Sequence, residues 1–255
     1  LKTICEENNL ILLEDACQAI GGTYNGKQLG TIGDLGCFSF DFVKTITCGE
    51  GGAVVTNSRS YAENADKYQD HGHDHVGNDR GAETHPFLGY NYRISELHAA
   101  VGLGQLEKFE DVLKKQKQYY TILREELRSI PEVTFRRVPQ DGKESHAFLN
   151  FFLPDEDTTR KAHKAISNAG VDACFYWFDN NWHYYKKWEH LTEQKSLGRL
   201  PSDVRANLQD FKTTDFSASD AWMSRTISSL IKVGWTEDEM KHRAQQLKQA
   251  ILSVL

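Results

Sequence analysis

No two cysteines in this 255-residue chain stand in a Cys-x-x-Cys spacing, and their number is odd: Cys5, Cys17, Cys37, Cys48 and Cys174. That argues against a disulfide frame or a cysteine-built zinc site as the organising device. It points instead to reduced, buried thiols in a cytoplasmic protein. A basic excess is also missing. The 36 acidic residues outnumber the 30 lysines and arginines, for a net charge of −6, which argues against a general nucleic-acid binder, since that needs a basic face. No apolar run approaches the ~18 residues of a membrane span. Neither a secretory signal nor an initiator methionine is present. The opening LKTICEENNL reads as the second half of an amphipathic helix, so the expectation is a chain lacking an N-terminal part.

What is present is a globular composition, 39% hydrophobic and 26% charged, with the length of one large domain or two small ones. Residues 10–13 are a continuous apolar run, the pattern of a strand buried on both faces. The run ends on Glu14-Asp15, and an acid at a strand's carboxyl end suits an open α/β sheet, where ligands sit beyond strand ends. Asn25-Gly26 marks a short hairpin across residues 23–29. Residues 37–42 and 52–56 read as further strands. A helix over residues 58–70 has Ser58 as N-cap. A polar loop, residues 71–86, holds four of the ten histidines. From Ser95 a helical pattern runs to Ser129, ahead of Pro131. A helix of that length links domains, so the boundary is set at residue 110: residues 1–110 form the C-terminal part of a large α/β domain and 111–255 a small α+β domain. In the second part, residues 133–138, 148–153 and 171–178 read as strands. Residues 158–168, 219–230 and 236–255 read as helices, the last with a Thr236/Glu239 capping-box spacing.

Three residue types in the first part suit an aldehyde cofactor. Such chemistry needs a lysine to attach to the aldehyde and shuttle a proton. It needs a carboxylate to keep a pyridine nitrogen protonated, and donors for a phosphate. Asp15 is the candidate carboxylate, Gln18 a contact to the ring oxygen, and Ser39 a phosphate donor. Lys44 is the candidate lysine, and its neighbours Phe42, Val43 and Ile46 would disfavour the charged amine. Each residue also has a plainer role: a strand-end Asp as a turn or cap, a lone loop Lys as a solvated charge, Gly49–Gly52 as a turn without the P-loop's Lys-Ser/Thr.

Four stretches decide between these. Glu14-Asp-Ala-Cys-Gln-Ala19, Gly33-Asp-Leu-Gly-Cys-Phe-Ser-Phe40, Lys44 ahead of Gly49-Glu-Gly-Gly-Ala53, and Gly89-Tyr-Asn-Tyr-Arg-Ile-Ser-Glu96 together resemble the DegT/DnrJ/EryC1/StrS sugar aminotransferases. The resemblance implies a type I pyridoxal-phosphate aminotransferase fold and a homodimer with shared active sites. It implies pyridoxal 5'-phosphate as cofactor, with Asp15, Gln18, Ser39 and Lys44 in the roles above. Asn91 would reach the neighbouring subunit's cofactor phosphate. Dehydratase relatives carry His in place of the lysine, so Lys44 favours transamination. The family's N-terminal phosphate loop and stacking aromatic find no counterpart in this sequence.

Residues 70–86 and 174–185 resemble a branch of that family that aminates the C8 aldehyde of an acidic eight-carbon sugar, 3,8-dideoxy-8-oxo-manno-octulosonate, with glutamate as donor. His71, His73, His75 and Arg80 offer donors for a carboxylate and hydroxyls. Trp182, His183 and Tyr184 offer flat faces with polar tips. The expected substrate contacts are therefore His71, His73, Arg80, Trp182 and His183. The histidine loop as plain solvated surface is the alternative. No metal is assigned: alternating histidines can chelate, but no partner ligands are evident in sequence and the chemistry needs none. Two other functions stay open, a transaminase of a nucleotide-linked 3- or 4-keto sugar and an inactive cofactor-binding regulator.

Overall fold

The computed structural model describes residues 1–180 and 182–255. In chain order the elements are α1 Lys2–Glu7, β1 Leu13–Asp15, β2 Thr23–Tyr24, β3 Lys27–Gln28, β4 Leu35–Ser39, β5 Gly52–Thr56, α2 Arg59–Gln69, α3 Glu96–Leu106, α4 Phe109–Arg128, β6 Thr134–Phe135, β7 Gly142–Lys143, β8 Phe148–Phe152, α5 Glu156–Asn168, β9 Cys174–Phe175, α6 Glu189–Thr192, α7 Ser202–Ala206, α8 Ser217–Met223, β10 Thr226–Leu230 and α9 Glu237–Leu252. The chain forms two compact units. One comprises residues 1–117 and 138–147, the other 118–137 and 148–255. Among the described residues, no helix is long and apolar enough to cross a membrane.

In the first unit β4 is the centre of a three-stranded sheet. It runs parallel to β1, with Asp15 opposite Cys37, and antiparallel to β5, with Ser39 opposite Gly52. Both Asp15 and Ser39 therefore lie at the carboxyl ends of adjacent parallel strands. The strand expected at 10–13 lies at 13–15 instead, and its apolar residues are not buried: Leu10, Ile11 and Leu13 are more than half exposed. Two-sided burial needs cover on both faces and both edges, and β1 is hydrogen-bonded to β4 alone among the described strands. The Asn25-Gly26 hairpin is present, with both residues in the left-handed region (φ 49° and 74°) as a type I′ turn requires. β2 also pairs with β7. Ser58 Oγ accepts from the Tyr61 amide, so the expected cap forms, and Ser95 Oγ accepts from the His98 amide in the same way. The single helix expected from Ser95 to Ser129 is two helices, α3 and α4, interrupted at residues 107–108. Of the five free cysteines only Cys48 is fully buried; the others are half-buried.

The second unit packs helices on an antiparallel sheet of order β6-β8-β10-β9. The core gathers Tyr119, Leu123 and Leu127 of α4, Leu149 and Phe151 of β8, Ile166 of α5, Ile227 of β10, and Met240, Leu247 and Ile251 of α9. Apolar residues recur on α4 and α9 at helical spacing, and on β8 the buried residues, Leu149 and Phe151, alternate, so each element turns one face inward. Asp155 caps α5, and Gly170 (φ 73°) follows its end. The capping box at Thr236/Glu239 forms in full. Residues 219–230 are not one helix. The helix ends at Met223, and residues 226–230 are the central strand, paired with β8 over five residues.

Candidate active site

The loop from β4 to β5 carries Lys44. It is pinned at its neck: the Phe40 amide donates to the Gly51 carbonyl and the Cys48 amide to the Phe40 carbonyl, both at 2.9 Å. The Lys44 amide donates to the Asp41 carbonyl (3.0 Å), and Gln116 Nε2 of α4 donates to Thr45 Oγ1 (3.3 Å). Gly49 sits at φ 90°, and a Cβ on Gly52 would stand 2.8 Å from the Phe38 carbonyl oxygen. The glycines thus close the loop and let the strands approach. Lys44 is half-buried. Of its three apolar neighbours only Ile46 is buried; Phe42 and Val43 are exposed. The apolar shell expected from sequence is only partly there.

Asp15 ends β1. Its Oδ1 accepts from the Cys17 amide at 3.1 Å. The Cys17 hydrogen bonds, aided by the charge of Lys44, hold its carboxyl below the usual carboxylate range. Ser39 Oγ accepts weakly from the Asp41 amide (3.3 Å), which leaves its own proton to donate. A carboxylate kept ionised, an amine whose charge it feels and a free hydroxyl at one strand-end edge fit the needs of pyridoxal phosphate. Gln18 is exposed near this edge, and its carbonyl accepts from Ser145 Oγ at 3.4 Å. Asn91 is exposed and bridges in strand fashion to Asp70. Its Oδ1 accepts from Arg93 Nε at 3.0 Å.

Two residues that the motifs do not assign organise this unit. Glu14, beside Asp15, receives three backbone amides: Gly30 at 2.9 Å, Ile32 at 2.6 Å and Gly33 at 2.6 Å. It fixes the loop that enters β4. Asp70, only 4% exposed, is the hub of the histidine loop. It meets His71 Nδ1 at 3.0 Å, His75 Nε2 at 3.2 Å, Arg80 at 2.6 Å and Arg93 at 3.3 Å. The His71 contact above all, then those from His75 and Arg80, holds its carboxyl far below the usual range. Its position between α2 and the His-Gly-His run was the one sequence signal available. The structure therefore brings His71, His73 and Arg80 into one cluster, with Arg80 engaged by Asp70.

Trp182 and His183 belong to the second unit. Trp182 is 59% exposed, and its amide donates to Asn180 Oδ1 at 2.7 Å. His183 meets Trp177 edge-on, centroids 4.6 Å apart, and Trp177 stacks on Phe175 at 4.6 Å and 9°. Asn181, within the aromatic stretch, lies outside the described residues.

This strand-end arrangement on a mixed sheet is the α/β fold of the type I pyridoxal-phosphate aminotransferases. Helicobacter pylori PseC, an aminotransferase involved in the biosynthesis of pseudoaminic acid, superposes with a TM-score of 0.79 at 20% identity, over 99% of this chain and 62% of its own. The DegT/DnrJ/EryC1/StrS aminotransferase family model matches residues 1–206, and the chain belongs to that family. It is 40% identical over 131 residues to GDP-perosamine synthase of Vibrio cholerae, which is 51% of this chain and 35% of the relative. It is 28% identical over 203 residues to UDP-4-amino-4,6-dideoxy-N-acetyl-beta-L-altrosamine transaminase of Campylobacter jejuni, 78% of this chain and 51% of the relative. The chain thus spans from about a third to a half of the length of these curated relatives.

Proposed function

We propose that this chain is the lysine-bearing part of a pyridoxal-phosphate-dependent sugar aminotransferase that works as a homodimer and takes its amino group from glutamate. The observation that carries this is the shared strand-end edge of Asp15 and Ser39, with Lys44 on the adjoining loop. Bound there, pyridoxal phosphate supplies an aldehyde for attachment and a ring that accepts electrons. Asp15, ionised at neutral pH, holds the proton at the ring nitrogen. Ser39 Oγ donates to the phosphate, and Gln18 and Asn91 are further cofactor contacts. Lys44 Nζ would carry the cofactor's aldehyde and, once freed by the amino donor, would move the donor's α-proton. Borohydride reduction of the protein, expressed from its complete reading frame, should leave the cofactor on Lys44. A label on another lysine overturns the assignment.

For the substrate we infer the C8 aldehyde of 3,8-dideoxy-8-oxo-manno-octulosonate, an acidic sugar of lipopolysaccharide. Support comes from the residue pattern of segments 70–86 and 174–185, from the imidazoles and guanidinium of the first and from the exposed aromatic faces of the second. His71, His73, Arg80, Trp182 and His183 are its proposed contacts. The named activities of the V. cholerae and C. jejuni relatives favour the second reading, a nucleotide-linked keto sugar. Assay of both substrate types with glutamate separates the two. Failure of glutamate to bleach the bound cofactor's absorbance would leave only a regulatory role.

A further inference from the structure

The loop of residues 71–89 closes on itself. At its neck the His71 amide donates to the Tyr90 carbonyl (2.9 Å), and the Tyr90 amide to the Tyr68 carbonyl (2.8 Å). Gly72 and Gly89 pass so closely that a Cβ on either would stand 2.2 Å from the backbone facing it. Further out, the Asp74 amide donates to the Thr84 carbonyl at 3.1 Å. This closure sets His73 against His85, twelve residues later, with the two Nε2 atoms 3.3 Å apart. That is the edge length of a tetrahedron whose bonds are about 2.0–2.1 Å, the zinc–imidazole distance.

The tautomer is directed from behind. Glu83 Oε2 lies 2.8 Å from His73 Nδ1; both atoms are buried and neither makes a hydrogen bond, so it is the carboxylate's charge that favours a proton on Nδ1. A proton on Nδ1 leaves the Nε2 lone pair aimed at His85. His71 likewise turns Nδ1 to a carboxylate, Asp70 Oδ1 at 3.0 Å. Carboxylates behind imidazoles in this way orient metal-binding histidines. Ligand atoms of Asp70, His71 and His73 lie within 4.8 Å of one another. Asp70 is already occupied by Arg80 and Arg93, so it serves as the group behind His71.

We propose that His71, His73 and His85 bind one divalent transition ion of the zinc class, with Asp70 and Glu83 orienting the first two. The ion clasps the loop, and three imidazoles leave its fourth position open to an oxygen ligand, through which His71 and His73 would reach the sugar. His75 is outside the set: its Nδ1 is on Asp66 at 2.7 Å and its Nε2 on Asp70. The proposal does not depend on the transaminase assignment, because metal binding is read directly.

The test uses the cofactor-loaded protein, made from its complete reading frame without a histidine tag and stripped with a chelator. Titration with Zn2+ by calorimetry should show one saturable site, and Co2+ should give the intense visible bands of tetrahedral coordination. His85→Asn removes an exposed ligand that folding does not need, and should abolish both. Glu83→Gln should weaken Zn2+ at least about tenfold, while His75→Asn should leave it unchanged. No saturable Zn2+ site, or binding that survives His85→Asn, overturns the proposal and leaves His73 and His85 as a proton-sharing pair. So does equal loss in His75→Asn.

Discussion

The Cys17 amide donates to Oδ1 of Asp15 at 3.1 Å, so the side chain that ends β1 is held by the first turn that follows it. The same contact marks the thiol. Burial, then the Asp15 hydrogen bond and charge, pushes Cys17 up to about 11. At pH 8 the wild-type thiol should therefore alkylate slowly. Asp15→Asn removes two of the causes and should speed its reaction with iodoacetamide about threefold or more, read by peptide mass spectrometry. An unchanged rate would show that Asp15 does not govern this thiol.

Lys44→Ala should lower transamination by on the order of 10³-fold, the scale of a lost proton-transfer group. Cofactor should still bind without covalent attachment, so the variant's absorbance should no longer respond to borohydride as the wild type's does.

Glu14→Ala strips three amides of their acceptor. With hydrogen bonds to a charged group worth about 1.5–3 kcal/mol each and water replacing part of the loss, the expected destabilisation is about 2–4 kcal/mol. Urea denaturation measures it. A change below 1 kcal/mol, on that same scale, would mean that the entry loop to β4 is held by other contacts.

Phe151, fully buried in the core of the second unit, should cost about 3–5 kcal/mol as Phe151→Ala. Thermal melting at fixed protein concentration checks this, with exposed Phe42→Ala as a control expected to stay within about 0.5 kcal/mol.

Asp172 ties β9's approach to the last helix. It meets Lys232 Nζ at 2.7 Å and the guanidinium of Arg243. The Lys232 hydrogen bond, then the Arg243 charge, lowers its carboxyl below the ordinary value. Its folded pKa is depressed, so its contribution is present above the unfolded value of about 4 and is lost as pH falls through the lower folded one. The melting-temperature gap between wild type and Asp172→Asn should be modest at pH 7, because the pair is solvent-screened. It should close as pH drops from 5 toward 3. A gap that widens on acidification contradicts the sign.

Local signals determined much of this protein. Ser58, Ser95 and Thr236 cap helices because a hydroxyl one residue ahead of a helix meets its free amides wherever it is placed. Asn25-Gly26 turns because those residues tolerate positive φ. The family motifs from Glu14 to Glu96 were likewise legible, since they are short and ordered along the chain. Tertiary structure decided the rest. Residues 226–230 looked helical beside α8, yet they became the central strand because β8 and β9, distant in sequence, supply both edges. The hub at Asp70 and the facing of His73 and His85 needed the closure of a loop through backbone contacts, and no side-chain spacing encodes such closure. Asp15 and Lys44 stood in the sequence as candidates. The parallel pairing of β1 with β4 set Asp15 and Ser39 on one edge, because strand register fixes where each strand ends.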